Sequence, residues 1–201
     1  MKRAGAGIDI PRAMFSGNSV FPRLSKKDVL DFAPPPVYHG AMERQPFSFH
    51  NPGTLSDGEL ALVLVRRVPG DDARGIVPSY EFNMVNARTG EVMGGINLRI
   101  GYNERIKYGG QVGYAVGREF RGQRAAARSL ALILPLARRH GLDPLWVTCD
   151  PDNAASRRTC ELAGGVLADI VDIPEDSDLY KRGERKKCRY RFDLHATNGG
   201  G

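Results

Sequence analysis

Cysteine is scarce in this 201-residue chain. The three present, Cys149, Cys160 and Cys188, are odd in number and show neither Cys-x-x-Cys spacing nor a nearby histidine pair. That argues against a disulfide framework and against a metal site of zinc type. Three reduced thiols fit a cytoplasmic protein. No apolar run approaches the ~18 residues that a membrane-spanning helix needs. No apolar stretch follows the basic start Met1-Lys2-Arg3 either, which argues against a secretory signal. A Gly-Lys-Ser/Thr loop is missing, and so is Gly-x-Gly-x-x-Gly, so neither a P-loop nor a dinucleotide fingerprint is present.

What is there reads as an ordinary globular chain, with 41% hydrophobic and 26% charged residues. The net charge of +6 is concentrated between Lys181 and Arg191, where seven basic residues accompany the single acid Glu184. This is either a patch for a polyanion or a solvated hairpin turn with a basic strand leaving it. No aromatic ladder accompanies the charges, as single-strand binding would require. Nucleic acid is therefore the weaker alternative.

Residues 1–57 are broken repeatedly by proline, including the run Pro34-Pro35-Pro36. They read as an irregular lead-in with one short helix over Leu24–Phe32. A compact domain follows over 58–195, and 196–201 is expected to be a disordered tail. Within the domain, strands are predicted at Glu59–Val68, Tyr80–Val85, Val92–Ile100 and Gly110–Gly117 from period-two alternation and turn residues. The period then changes. Ala126, Leu130, Ile133, Leu134 and Ala137 keep the spacing of an amphipathic helix, running from about Gly122 to His140 and ending at Gly141. Pro135 inside it predicts a kink. Next come a strand at Leu145–Cys149, a helix capped by Asp152 or Asn153 and closed by Gly164-Gly165, and strands at Val166–Ile173 and Cys188–Leu194. The loops 100–110 and 174–187 have no regular pattern. The order implies a mixed, mostly antiparallel α/β sheet of six to seven strands with one parallel pair and flanking helices.

The stretch Gly117-Arg118-Glu119-Phe120-Arg121-Gly122-Gln123-Arg124-Ala125-Ala126 joins a strand to a helix through small and basic residues. A helix N-terminus exposes unpaired N–H groups and about half a positive charge, and small residues let a phosphate come close. On physics alone this is a candidate diphosphate cradle or a plain turn with surface arginines.

Two motifs extend the reading. Arg121-Gly122-Gln123-Arg124-Ala125-Ala126 resembles the Arg/Gln-x-x-Gly-x-Gly/Ala signature of the GNAT N-acetyltransferase superfamily, with Arg124 where that family has glycine. Asn153-Ala154-Ala155-Ser156, about thirty residues on, resembles its Asn-x-x-Ala/Ser signature. The phrases Gly94–Arg99, Gly109–Tyr114 and Thr148–Asn153 are similar to a bacterial subgroup of small stand-alone acetyltransferases.

The resemblance implies a fold in which the fourth and fifth strands splay and acetyl-CoA lies between them, with no metal. It places the pantetheine arm along Tyr114, Ala115, Val116 and Gly117. The diphosphate falls on the amides of Arg121, Gly122, Gln123, Arg124, Ala125 and Ala126, and further contacts come from Asn153 and Ser156. It also implies transfer of an acetyl group to a primary amine of a small molecule or peptide, with an oxyanion donor near Val116. Many relatives donate the thiolate's proton from a tyrosine seven residues after the helix-start asparagine. Here that position is Cys160, either an acid or a packing thiol. Asp150 and Glu81 are the candidate bases. A non-catalytic acyl-CoA binder is a second alternative. Of the histidines, His39, His50 and His195 carry no pattern, and His140 reads as a helix-end cation. Oligomeric state is unreadable, and a homodimer stays open.

Overall fold

The computed structural model describes residues 47–194. The Leu24–Phe32 helix and the 196–201 tail lie outside that range. Five strands form one antiparallel sheet in chain order: β1 (Leu55–Ser56), β2 (Leu60–Val68), β3 (Ser79–Asn86), β4 (Val92–Arg99) and β5 (Val112–Val116). Three more, β6 (Leu145–Cys149), β7 (Val166–Asp172) and β8 (Lys186–Phe192), form a second antiparallel sheet in the order β6-β8-β7. The described helices are α1 (Glu104–Gly109), α2 (Ala125–Arg139), α3 (Ala154–Leu162) and α4 (Asp178–Lys181).

Alternation explains the first sheet. Tyr80, Phe82 and Met84 on β3 are buried beside Ile96 and Leu98 on β4, while Glu81 and Asn97 pair on the opposite face. Between these strands the Asn86 side chain accepts from the N–H groups of Arg88 and Thr89. α2 lays Leu130, Ile133, Leu136 and Ala137 on the core, and Leu145, Val147, Tyr190 and Phe192 complete it from the second sheet. Apolar burial of this kind contributes ~1.5–3 kcal/mol per large side chain. The helix runs from Ala125 to Arg139 through Pro135. Pro135 and Ala131 both face solvent, so the Ala131 carbonyl that loses its donor can be hydrated.

The expected parallel pair would be β5 and β6, but they form no ladder: every strand pairing among the described residues is antiparallel, and the sheet divides between these two strands. Gln111, wholly buried, joins them at one end. Its N–H donates to the Trp146 carbonyl (2.8 Å), its Oε1 accepts from the Trp146 N–H (2.7 Å) and its Nε2 donates to the Gly101 carbonyl (3.2 Å). Beyond that junction β5 pairs only with β4, and β6 only with β8. The strands diverge, leaving backbone edges exposed between them.

Two loops of the sequence reading hold short helices. α1 is capped by Asn103, whose side chain accepts from the Ile106 N–H (2.9 Å), and buries only Ile106. α4 is capped by Ser177. The basic run is not a free patch. Lys186 pairs with Asp172 (3.2 Å), Arg189 with Asp169 (3.3 Å), Arg191 with Asp193 (2.7 Å) and Lys187 with Glu184. Among the described residues, no helix is long and apolar enough to cross a membrane.

Candidate functional site

The entry to α2 is built by unusual backbone. After β5, Gly117 starts a short 3-10 turn over Arg118–Phe120. Gly122 then takes φ 82° and Arg124 takes φ 57°, the one positive φ outside glycine among the described residues. The departure at Arg124 therefore carries a backbone cost: the position takes the left-handed conformation that glycine adopts freely and an L-residue adopts at ~1–2 kcal/mol. No side chain caps α2, and no acid lies in its first turn. The N–H groups of that turn are thus left open beside the positive end of a 15-residue helix.

This turn faces a groove of about 710 Å³ bounded by β5 and α3. Its walls include Tyr114, Ala115, Val116, Arg121, Gly122, Arg124, Ala125, Ala126, Asn153 and Ser156, all singled out in the sequence. Gly117 and Gln123 are not part of its walls. Phe120, from the same strand-to-helix stretch, also lines it, as do Arg158, Thr159 and Leu162, which no motif marked. A second cavity of about 360 Å³ lies on the other side of the splay, lined by Arg99, Gly113, Thr148, Cys149, Asp150, Leu179 and Lys187. Tyr114, Asn153 and Ser156 border both spaces. The two cavities therefore meet at one small group of polar side chains.

That junction is well ordered by hydrogen bonds. The Asn153 side chain caps α3 by accepting from the Ser156 N–H (2.9 Å). The Ser156 and Tyr114 hydroxyls lie 2.8 Å apart, and Cys160 Sγ lies 3.9 Å from the same phenol. Burial, then the neighbouring Cys160, pushes the Tyr114 phenol well above its ordinary value, so it stays protonated. Cys149 and Cys160 divide in opposite directions. The contact with Cys160 holds Cys149 below the ordinary thiol value, while Cys149 and then burial push Cys160 up.

Three expectations change. Cys160 is fully buried, borders neither cavity and holds its proton tightly, so it is a packing thiol rather than an acid. Glu81 lies outside both cavities, and its carboxylate is bound by Arg66 through two contacts of 2.7 and 2.9 Å. That engagement removes it as a base. His140 is not a helix-end cation: burial, then His50 and Arg139, lower its pKa to about 4. The single proton of the Tyr80 hydroxyl serves the His50 carbonyl (3.0 Å), so the neutral His140 ring presents Nε2–H to that oxygen (2.7 Å). Asp150 does border the second cavity, with Oδ1 accepting from the Asp152 N–H (2.9 Å).

Open amides at a helix start, arginines beside them and a groove between parting strands define a protein equipped to hold an elongated, phosphate-bearing ligand. The GNAT acetyltransferase domain matches residues 36–166, more than half of the chain, and the chain belongs to that family. Solved structures similar to it include the ribosomal-protein-S5-alanine acetyltransferase from Vibrio fischeri (16% identity, 59% of this chain and 63% of that one, TM-score 0.47). A GNAT-family acetyltransferase from Bacillus anthracis is also similar (15%, 57% and 66%, TM-score 0.46). A third is the microcin C7 self-immunity acetyltransferase MccE, solved with acetyl-CoA and AMP (17%, 57% and 61%, TM-score 0.44). The matched region spans less than two thirds of each of these chains. No curated protein matches the sequence.

Proposed function

We propose that this chain is an acetyl-CoA-dependent N-acetyltransferase. The observation that carries the reading is the uncapped, acid-free first turn of α2 opening onto a groove that ends at the Ser156 and Tyr114 hydroxyls. The residues present fit the co-substrate. The amides of Arg124, Ala125 and Ala126 suit its diphosphate, Arg121 and Arg124 add charge, and the free edge of β5 suits its pantetheine arm. When bound, acetyl-CoA supplies an activated acyl thioester.

The chain's own residues then do four things. The second cavity receives the acceptor amine. Asp150 takes a proton from it, because an alkylamine with pKa near ~10 arrives protonated and cannot attack. A backbone N–H near Val116 stabilises negative charge on the acyl oxygen. The second proton of the attacking nitrogen is relayed by the Ser156 hydroxyl, hydrogen-bonded to Tyr114, to the sulfur as the C–N bond forms and the C–S bond breaks. Asn153 fixes Ser156 by capping the helix that carries it.

The experiment is a melting shift with acetyl-CoA, followed by free-thiol detection over a panel of amines. A ligand at ~100 times its dissociation constant stabilises by ~2.7 kcal/mol. No shift at millimolar acetyl-CoA sinks the reading. A shift without thiol release on any amine assigns the chain as a non-catalytic acyl-CoA binder. The polyanion alternative is disfavoured by the acidic partners that neutralise the basic strand.

A further inference from the structure

The second cavity holds a cation that the acetyl-transfer chemistry does not use. We propose that the acceptor is a small amine bearing an anionic group, a carboxylate or a phosphate, and that Arg99 binds that group. The proposal rests on the acetyltransferase reading above and names its substrate class.

Arg99 ends β4 on the face away from the core residues Leu98 and Ile100. Its Nη1 donates to the carbonyls of Gly109 (3.1 Å) and Gly110 (3.0 Å) at the end of α1, which pins the guanidinium in place. No carboxylate among the described residues forms an ion pair with it. The acid that bears on it electrostatically, Glu81, already spends both oxygens on Arg66. Burial lowers the arginine's pKa, the mark of a charge taken from water without a full counter-charge. A half-buried guanidinium with carbonyl partners but no counter-ion gains when a ligand supplies the anion.

The cavity is shaped for that ligand. A Cβ on Gly113 would stand 3.3 Å from Nη2, so glycine keeps the approach to the guanidinium clear. The other cation of the cavity, Lys187, is occupied by Glu184. Asp150 lines the same space and is the counterpart for an ammonium. One wall therefore offers a carboxylate and another a fixed guanidinium. The matching acceptor is zwitterionic, with its amine presented to Asp150 and its anion to Arg99. A planar guanidinium suits carboxylate and phosphate oxygens equally, so the experiment separates the two.

The test compares matched acceptors in the full chain: β-alanine against n-propylamine, and O-phosphoethanolamine against ethanolamine. The expected result is a kcat/KM about 10- to 100-fold higher for one anionic member, the span a charge-assisted contact contributes. Which pair shows the preference identifies carboxylate or phosphate. In Arg99→Met that ratio falls to about 1, through KM rather than kcat, and Arg99→Lys restores part of it. A measurement on the unaltered protein guards against a variant that fails to fold: succinate, or methyl phosphate for the phosphate arm, competes with the acceptor and not with acetyl-CoA. Equal turnover of charged and neutral partners, or no competition with the acceptor, overturns the inference and leaves the acetyltransferase reading standing. If acetyl-CoA raises the melting temperature and no amine is acetylated, the catalytic reading fails and this inference with it.

Discussion

Arg124 contributes to both stability and binding, and glycine and alanine substitutions separate the two. Its φ of 57° is set by the turn into α2, not by its side chain. An L-residue there carries ~1–2 kcal/mol of strain. Glycine removes that strain but adds ~0.5–1 kcal/mol of backbone entropy cost. Alanine keeps the strain and, like glycine, lacks the guanidinium. Arg124→Gly should therefore be more stable than Arg124→Ala by about 1 kcal/mol, which for a chain of this size is about 2–4 °C in melting temperature. Both variants should weaken acetyl-CoA to the same degree, since both lose the same cation from the groove. Differential scanning calorimetry and titration with acetyl-CoA measure the two quantities on the same samples. Glycine melting at or below alanine would refute the backbone argument. Equal affinity of both variants and the parent would remove the Arg124 side chain from the binding site.

Ser156→Ala should lower kcat by about 100-fold or more, because general acid catalysis typically contributes 10²–10⁴; a parental rate in thiol-release kinetics would give the proton to another donor. Gly165→Ala should destabilise by ~1–3 kcal/mol in urea unfolding, since its Cβ would meet the buried Phe192 ring at 2.5–2.6 Å; an unchanged midpoint would show that the ring can move aside. His140 has a folded pKa of about 4 against an ordinary value of 6.5, so the unfolded chain binds more protons between these values. Stability should then fall as pH drops from about 6.5 to 4 and stay level above, and His140→Gln should flatten that slope in melts at pH 7 and 5. The Asp57–Arg128 pair acts in another window: Asp57 is lowered from 3.8 to about 2, so its contribution is lost only as pH falls below 3.8.

Much of the fold was legible because burial writes a period into the chain. Tyr80, Phe82 and Met84 alternate, Leu130, Ile133 and Ala137 recur on one helical face, and both periods survive in the structure. α1 was not legible. Six residues with one buried side chain, Ile106, leave too little periodicity to separate a helix from a loop. At the site, Asn153 and Ser156 could be read from the Asn-x-x-Ser resemblance, whereas helix capping alone left Asp152 and Asn153 both open. The Tyr114–Ser156 contact could not, since its partners are 42 residues apart and meet only across the splay. Glu81 illustrates the same limit. Alternation put it off the core, but Arg66 reaches it through the β2–β3 register, which shifts by a bulge between Leu64 and Arg66. The basic run could be read either as a patch or as a solvated hairpin because its partners Asp169 and Asp172 come from β7, the neighbouring strand. Arg99 stood only as the last residue of the Gly94–Arg99 phrase, which gave it no role, because an arginine at a strand end reads as surface.

Backbone amide shifts on adding coenzyme A test the central claim most directly. The account predicts that the largest shifts fall on Arg124, Ala125 and Ala126, with smaller ones along Tyr114–Val116. Shifts confined to the basic β8 strand, or none at saturating ligand, would contradict it.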